Sequence, residues 1–169
     1  LNKNPGLGGN IPSALGSATN LIRFECGECG LTGNLPDEIR FMSSLKRLNL
    51  RSNSIDGPIS NSLTQILSLE ALNLENNQLG DQIPNSISNM GNLVVLNLAN
   101  NELTGPIPTS IGSMPGLEEL IVGGNAGLLG PIPTEIGEVT ALQKLDVGNS
   151  GINGQVPSEI SKLENLREV

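Results

Sequence analysis

The sequence predicts an α/β repeat solenoid, a right-handed superhelix with a parallel β-sheet on its concave face and short helical or 3-10 turns on its convex face. Two observations predict this fold. Six consecutive segments share the frame L-x-x-L-x-L-x-x-N-x-L-x-G-x-I-P-x-x-I, at a period of 24 residues that only the fifth segment exceeds, by one residue. The chain also holds 21 Gly and 11 Pro but only two Phe and no Trp or Tyr, so turns must be frequent.

We expect the whole chain to form one domain built from these copies. A single copy cannot bury its own apolar face, so neighbouring copies must stack around one continuous core. Both ends are cut inside a repeat and show no polar capping segment, so we expect a fragment of a longer array. The predicted domain is residues 1–169, with repeats at 20–43, 44–67, 68–91, 92–115, 116–140 and 141–164 and partial repeats at 1–19 and 165–169.

The L-x-x-L-x-L part of the frame predicts the strand of each repeat. Apolar and other residues alternate there, so Leu48 and Leu50, like Leu96 and Leu98, should point into the core. The Asn that follows each strand should turn inward, where its amide can satisfy backbone groups exposed by the bend. Stacked copies should therefore form a ladder of Asn53, Asn77, Asn101 and Asn125.

The second half of the frame predicts the return of the chain. A Gly follows where the backbone needs a positive φ or a close approach. The I-P pair anchors the second side in the core, and the P-x-x-I piece fits a short helical or 3-10 turn. The extra residue of the fifth segment falls in NAGLLG, where it should widen a turn. The glycines at this position are Gly33, Gly57, Gly105, Gly130 and Gly154.

The whole chain resembles the leucine-rich repeat family, specifically the plant-type 24-residue subclass of receptor-kinase ectodomains and polygalacturonase inhibitors. The L-x-G-x-I-P portion, as in LTGPIP at 103–108, carries the resemblance to this subclass. The resemblance implies a leucine-rich-repeat solenoid that recognises a protein or peptide ligand through its concave face, at the cell surface or outside the cell. A secreted inhibitor or structural scaffold is the alternative role. The chain has no N-x-Ser/Thr sequon, so an intracellular or plastid location stays open.

Cys26 and Cys29 are the only cysteines and are spaced as C-x-x-C. The repeat places Cys26 at a core Leu position and Cys29 at the ladder position of Asn53, so both should be buried. A redox pair needs an exposed thiol of low pKa, and a zinc site needs further Cys or His ligands that the chain lacks. Two packed thiols and an internal disulfide both remain open.

The ligand-binding residues should lie between the inward Leu residues of the strands. Arg23 and Arg47 are expected one strand apart, close enough to hold a carboxylate between them. The stacked Asn residues suit a polar strand or a glycan. The alternative is a solvated face whose Glu residues neutralise the arginines. The predicted concave-face set is Arg23, Glu25, Arg47, Asn49, Arg51, Asn73, Glu75 and Asn97.

Composition excludes several other functions. Without His the chain cannot form a Ser-His-Asp or Cys-His couple, so no enzyme, cofactor or metal is predicted within this segment. The net charge of −8 argues against nucleic acid and anionic membranes, and no apolar run approaches the ~20 residues of a membrane span. An ice- or surface-binding solenoid is less favoured, because Asp56 and Gly80 interrupt the Thr row that includes Thr32 and Thr104. A kinase domain elsewhere in the full protein is compatible with all of this.

Overall fold

The structure is a computed structural model that describes residues 1–169 and consists of stacked rungs. Thirteen short β-strands, β1 to β13, and seven 3-10 turns, η1 to η7, make up its regular structure. Each complete rung runs through a strand of the concave sheet, a strand of a second sheet and one 3-10 turn. The predicted parallel sheet and convex 3-10 turns are therefore confirmed.

Six strands form the concave sheet, in the order β12-β10-β8-β6-β4-β2 with all neighbours parallel. Each strand has three residues, of which the central one is buried and the outer two are exposed or half-buried. The first strand differs, because its central residue Phe24 is half-buried. Neighbouring strands pair without any shift, so equivalent positions of the frame form straight columns. The strands are β2 (Arg23–Glu25), β4 (Arg47–Asn49), β6 (Ala71–Asn73), β8 (Val95–Asn97), β10 (Glu119–Ile121) and β12 (Lys144–Asp146).

The remaining strands form a second, lateral set that the sequence analysis did not predict. They fall into one sheet of order β1-β3-β5-β7 and another of order β13-β11-β9, joined only by a single bridge between Gln82 and Thr104. The break coincides with Gly80-Asp81. At the position of Asp81 the other rungs have Gly. The strands are β1 (Gly9–Asn10), β3 (Leu31–Gly33), β5 (Ser54–Pro58), β7 (Gln78–Gly80), β9 (Thr104–Gly105), β11 (Gly127–Gly130) and β13 (Gly151–Ile152).

Proline sets the start of almost every convex turn. Six of the seven turns follow a Pro in extended conformation, such as Pro36 with φ −70° and ψ 145°. The exception is η3, where Ser60 replaces Pro and the turn is shortened to three residues. The turns are η1 (Ser13–Ser17), η2 (Asp37–Phe41), η3 (Leu63–Gln65), η4 (Asn85–Asn89), η5 (Thr109–Ser113), η6 (Thr134–Glu138) and η7 (Ser158–Lys162).

The core is one continuous cluster of 38 buried residues that runs through the stack. Leu48, Leu50, Leu96 and Leu98 are at most 1% exposed, as the alternation predicted. The extra residue of the fifth segment is absorbed between β10 and β11. Because β10 keeps its register with β8 on one side and β12 on the other, the wider turn leaves the concave sheet undisturbed.

The predicted Asn ladder is present. Asn77 donates from Nδ2 to the carbonyl oxygens of Leu50 and Leu74 at 3.0 Å each, while its Oδ1 accepts from the Ile55 N–H at 3.0 Å. Asn101 and Asn125 repeat this pattern one and two rungs further on. The five predicted glycines of the return all have positive φ, so the turn prediction is also confirmed.

Cys26 and Cys29 form a disulfide, with their Cα atoms 5.5 Å apart. The predicted burial is confirmed, because the two residues are 2% and 0% exposed. In the next rung the same two frame positions are occupied by Leu50 and Asn53, and the Asn53 side chain donates a hydrogen bond to the Leu50 carbonyl. A covalent link thus stands in this rung where other rungs have a hydrogen bond.

Candidate functional site

All eight predicted binding residues lie along the concave sheet, on or directly after its first four strands. Arg23 of β2 is in register with Arg47 of β4. Glu25 leads a column that continues through Asn49, Asn73 and Asn97 of the next three strands. Arg51 and Glu75 follow their strands by two residues. The structure therefore brings the set together on one face.

The Asn column has a structural role that the sequence analysis missed. The side-chain oxygens of Asn49, Asn73 and Asn97 each accept a hydrogen bond from the backbone N–H two residues later, at 3.2, 3.0 and 3.1 Å. Asp146 makes the same contact with the Gly148 N–H at 2.9 Å. Asn and Asp commonly hydrogen-bond their own backbone in this way, and their repetition at one frame position was the available signal.

This local bond fixes which end of each amide faces outward. Since a backbone N–H occupies Oδ1, the side-chain NH2 group points away from the turn. The NH2 groups of Asn49 and Asn73 have no protein acceptor, whereas that of Asn97 donates to Glu75 Oε2 at 3.3 Å. The centre of the column therefore offers NH2 donors that have no partner within the protein, beside oxygens that already accept one hydrogen bond.

Two of the four cations at the β2–β4 end are neutralised within the protein. Lys46 Nζ lies 2.7 Å from Glu70 Oε1, and Arg51 Nη2 lies 3.0 Å from Glu28 Oε1. The Lys46 hydrogen bond lowers the pKa of Glu70, and the positive charges of Arg47 and Arg23 act in the same direction. The neutralised cations are thus not the arginines that face each other across the strands.

Arg23 and Arg47 are both exposed and make no ion pair. Their backbones are direct neighbours in the parallel sheet, where strands lie about 4.8 Å apart. Guanidinium groups at that separation can bind one carboxylate from both sides. The alternative in which Glu residues neutralise the arginines holds for Arg51, which pairs with Glu28. Neither Glu25 nor Glu28 pairs with Arg23 or Arg47.

The middle of the concave sheet carries small or aliphatic side chains. Ala71 and Val95 are neighbours in register and half-buried, and Ala99 beyond them is buried. Ile121 of β10 continues this apolar stretch one strand further. Since these side chains are short next to the arginines, the face is lowest here and can accept aliphatic groups of a ligand.

Acidic residues dominate the far end of the sheet. Glu119 of β10 is half-buried and has no ion-pair partner. The neighbouring Lys144 instead lies 2.7 Å from Glu168, and that hydrogen bond raises the pKa of Lys144, with Glu119 and Asp146 adding to the effect. The concave face thus has cations without an ion pair on β2 and β4, and four carboxylates without one, which are Glu25, Glu75, Glu119 and Asp146.

Metal ligation and membrane insertion were the other roles considered for this segment. No three His, Cys, Asp or Glu residues are grouped so that they could hold a metal ion. The longest helical segments are 3-10 turns of five residues, and none could cross a membrane. What the concave face can do chemically is form ionic, hydrogen-bonding and aliphatic contacts with an extended ligand.

Comparison with known proteins identifies similar repeats. A family model described as Leucine Rich Repeat matches residues 44–66, 68–90, 92–114 and 141–163, together more than half of the chain. No curated protein is significantly similar to the chain in sequence.

Several solved structures are similar over almost the whole chain. The ectodomain of the plant membrane receptor kinase GASSHO1/SCHENGEN3 from Arabidopsis thaliana, in complex with CASPARIAN STRIP INTEGRITY FACTOR 2, is 32% identical with a TM-score of 0.93, over 96% of this chain and 19% of that one. A TDR receptor is 35% identical with a TM-score of 0.90, over 95% and 28%. The Arabidopsis receptor kinase HAESA, in complex with the peptide hormone IDA and the co-receptor SERK1, is 27% identical with a TM-score of 0.88, over 96% and 27%. The chain thus spans between about a fifth and somewhat over a quarter of these relatives' lengths.

Proposed function

The chain belongs to the leucine-rich repeat family, and we propose that its concave face binds an extended peptide or a segment of a partner protein. The role is recognition without catalysis, in a receptor-like ectodomain or another extracellular recognition protein. The observation that carries the proposal is the pair Arg23 and Arg47, two exposed neighbouring arginines that form no ion pair within the chain.

This pair supplies the ionic contact. Like charges on neighbouring strands repel each other in the free protein, and a ligand carboxylate placed between them removes that repulsion. Hydrogen bonds between guanidinium and carboxylate groups are about twice as strong as neutral ones. Arg23 and Arg47 therefore favour a ligand that carries a carboxylate over a neutral one.

The Asn column supplies hydrogen-bond donors for the ligand. Asn49 and Asn73 present NH2 donors without a protein acceptor, whereas each of their oxygens already accepts one backbone N–H. Peptide carbonyls accept hydrogen bonds from such donors, as sugar hydroxyls also can. Glycan binding, which the sequence left open, is therefore the second candidate.

The comparisons support the same role and an extracellular location. The GASSHO1/SCHENGEN3 structure is a complex with CASPARIAN STRIP INTEGRITY FACTOR 2, and the HAESA structure is a complex with the peptide hormone IDA. Both proteins are receptor kinases by name. The Cys26–Cys29 disulfide adds independent support, because disulfides persist mainly in oxidising compartments such as the cell exterior. We therefore place the chain outside the cell, with a peptide or protein partner.

A displayed library of random linear peptides tests the proposal directly. Binders selected on the wild-type chain should lose most of their affinity for the Val95→Arg variant, since Arg at this half-buried central position obstructs the middle of the concave sheet. Ser113→Arg is the matched control, because it adds the same group at an exposed site on η5 of the convex side. Circular dichroism checks that both variants fold. The proposal fails if the library yields no binder, or if the selected peptides bind Val95→Arg as well as wild type.

A further inference from the structure

A groove on the convex side of the solenoid lies between the turns η1 and η2 and has a volume of about 460 Å³. Gly16 of η1 is buried, and a Cβ atom at this position would lie 2.8 Å from the Cβ atom of Glu38 on η2. Gly16 therefore cannot carry a side chain, and the close approach of the two turns holds Glu38 beside the groove. The residues that line the groove are Ser13, Gly16, Ser17, Thr19, Glu38 and Phe41.

Phe41 supplies an aromatic wall for this groove. It is 51% exposed, whereas the only other aromatic residue of the chain, Phe24, packs against the core. The Arg40 guanidinium lies over the Phe41 ring, 4.6 Å from its centre, and covers one of its faces. Other rungs carry exposed polar residues at the frame position of Phe41, so the fold does not require an aromatic side chain there. These residues are Ser17, Gln65, Asn89 and Ser113.

Glu38 is a half-buried residue whose carboxylate forms no ion pair. At the same frame position Glu135 and Glu159 each accept a hydrogen bond from the hydroxyl group of the preceding residue, at 3.2 Å. The residue before Glu38 is Asp37, which has no hydroxyl group and itself accepts a hydrogen bond from Ser62 Oγ at 2.6 Å. The oxygens of Glu38 are therefore available to the hydrogen-bond donors of a ligand.

The charges around the groove disfavour ionic ligands. An anion would be repelled by Glu38, on a chain whose net charge is −8. A cation would be attracted to the face of an aromatic ring, but Arg40 already covers one face of Phe41 and would repel a second cation nearby. A neutral ligand that is rich in hydroxyl groups meets neither obstacle.

We propose that this groove binds a neutral sugar residue of a glycan. The C–H groups on one face of the sugar stack on the Phe41 ring, because the face of an aromatic ring is electrically negative. The hydroxyl groups of the sugar donate to Glu38 and exchange hydrogen bonds with the exposed hydroxyl groups of Ser13, Ser17 and Thr19. The groove lies on the convex side, so this inference goes beyond the proposed function of the concave sheet and does not rest on it.

NMR spectra of the aromatic side chains test the site, because only Phe24 and Phe41 contribute signals. Titration with cellotetraose, a neutral glucose oligomer, should shift the Phe41 signals until they saturate and should leave the Phe24 signals in place. An oligomer of glucuronic acid has similar rings but a carboxylate on each, and it should shift neither set of signals. If cellotetraose, xylotetraose and mannotetraose all leave the Phe41 signals in place, the proposal is wrong. Equal binding of the acidic oligomer would overturn the choice of a neutral ligand.

Phe41→Ser tests the aromatic contact and introduces the residue that Ser17 and Ser113 place at the same frame position. Calorimetric titration should show cellotetraose binding weakened about tenfold, a change in the range expected for a lost aromatic contact. Leu67→Ser is the matched control, because Leu67 is a 58% exposed apolar residue that follows η3 on the same side of the solenoid. Unchanged binding in Phe41→Ser, or an equal loss in Leu67→Ser, contradicts the proposal.

Glu38→Ser tests the carboxylate and introduces the residue that Ser86 and Ser110 place at the same frame position. It should also weaken the binding of cellotetraose. Glu135→Ser removes a carboxylate from the same frame position near η6, where no aromatic residue is present, and should bind cellotetraose like wild type. Circular dichroism checks that each variant folds. An equal effect of the two substitutions would show that overall charge, rather than this groove, controls binding.

The Val95→Arg variant separates this inference from the proposed function. It obstructs the concave sheet, so it should lose peptide binding and keep cellotetraose binding, whereas Phe41→Ser should show the reverse. If Val95→Arg loses cellotetraose binding and Phe41→Ser keeps it, glycans bind the concave face and the convex groove is not their site. If Phe41→Ser loses cellotetraose binding while no peptide binds the wild-type chain, the convex site stands and only the proposed function of the concave face fails.

Discussion

Replacing the ladder residues one at a time should reveal that their hydrogen bonds are shared unequally between rungs. The Leu74 carbonyl accepts from both Asn77 and Asn101, and the Leu98 carbonyl accepts from both Asn101 and Asn125. In Asn101→Ala each carbonyl therefore keeps one donor. Only the Leu79 N–H, which Asn101 Oδ1 accepts at 3.0 Å, loses its partner.

Asn125 occupies the last position of the ladder and has less support. The Val122 carbonyl accepts a side-chain hydrogen bond only from Asn125, at 2.8 Å, because Ser150 stands where the next Asn would be. Asn125→Ala therefore leaves both the Leu103 N–H and the Val122 carbonyl unpaired. An unsatisfied buried polar group costs about 1–3 kcal/mol, so we expect a loss of about 2 kcal/mol for Asn101→Ala and about 4 kcal/mol for Asn125→Ala.

Urea denaturation followed by circular dichroism measures the difference, with the m-value showing whether unfolding stays cooperative in this repeat protein. Asn125→Ser is the matched control. Ser150 already donates to the Val147 carbonyl and accepts from the Ile152 N–H at the equivalent position, so Ser should recover part of the stability lost in Asn125→Ala. Equal losses in Asn101→Ala and Asn125→Ala would refute the argument from shared carbonyls.

Three further changes test other parts of the structure. Replacing Cys26 and Cys29 together by Ser should lower the free energy of unfolding by about 2 kcal/mol, the value expected for a loop closed over a sequence separation of three. The variant Cys26→Leu with Cys29→Asn restores the frame residues and should recover much of this loss in the same denaturation assay. Asp81→Gly should raise the stability by about 1 kcal/mol and increase the melting temperature, because exposed Asp81 has a φ of 59° and no side-chain hydrogen bond; a lower melting temperature would contradict this. The pKa of Glu70 is lowered from its ordinary value of 4.5 chiefly by the Lys46 hydrogen bond. The pair therefore stabilises the fold above that pH, and this stabilisation is lost as the pH falls through the lower pKa of the folded state. In Lys46→Gln the acid limb of a stability–pH profile should be flatter than in wild type, and an identical profile would argue against the pair.

Much of the fold could be predicted because residues with a structural role recur at the same frame positions in successive repeats. A Leu, Asn or Gly that recurs at one frame position has one structural explanation that must hold in every rung, as Leu48, Asn77 and Gly57 illustrate. The lateral strands could not be predicted in this way, because their pairing is made by backbone atoms of residues that differ from rung to rung. Asp81 shows this, since it adopts the positive φ that Gly provides in the neighbouring rungs.

The candidate site was predictable in position but not in chemistry. Frame columns place Asn49 and Asn73 on the concave sheet, yet the same columns cannot show that a backbone N–H holds each amide oxygen. That bond forms within one rung, over two residues, and it leaves the NH2 group as the part of each amide that has no protein partner. The sequence shows which side-chain atoms are present, whereas recognition depends on which of those atoms have no partner within the protein.

The same distinction explains why Arg23 and Arg47 differ from the other cations of this end. Lys46 finds its acidic partner Glu70 at the equivalent position of the next rung, 24 residues on, and this is the arrangement that a stacked sheet favours. Arg23 and Arg47 are also 24 residues apart and in register, but they carry the same charge. On the concave sheet this is the one column where neighbouring strands place like charges side by side. Such a pair lowers the stability of the free protein, so its stabilising partner is best sought outside the chain, in the carboxylate of a ligand.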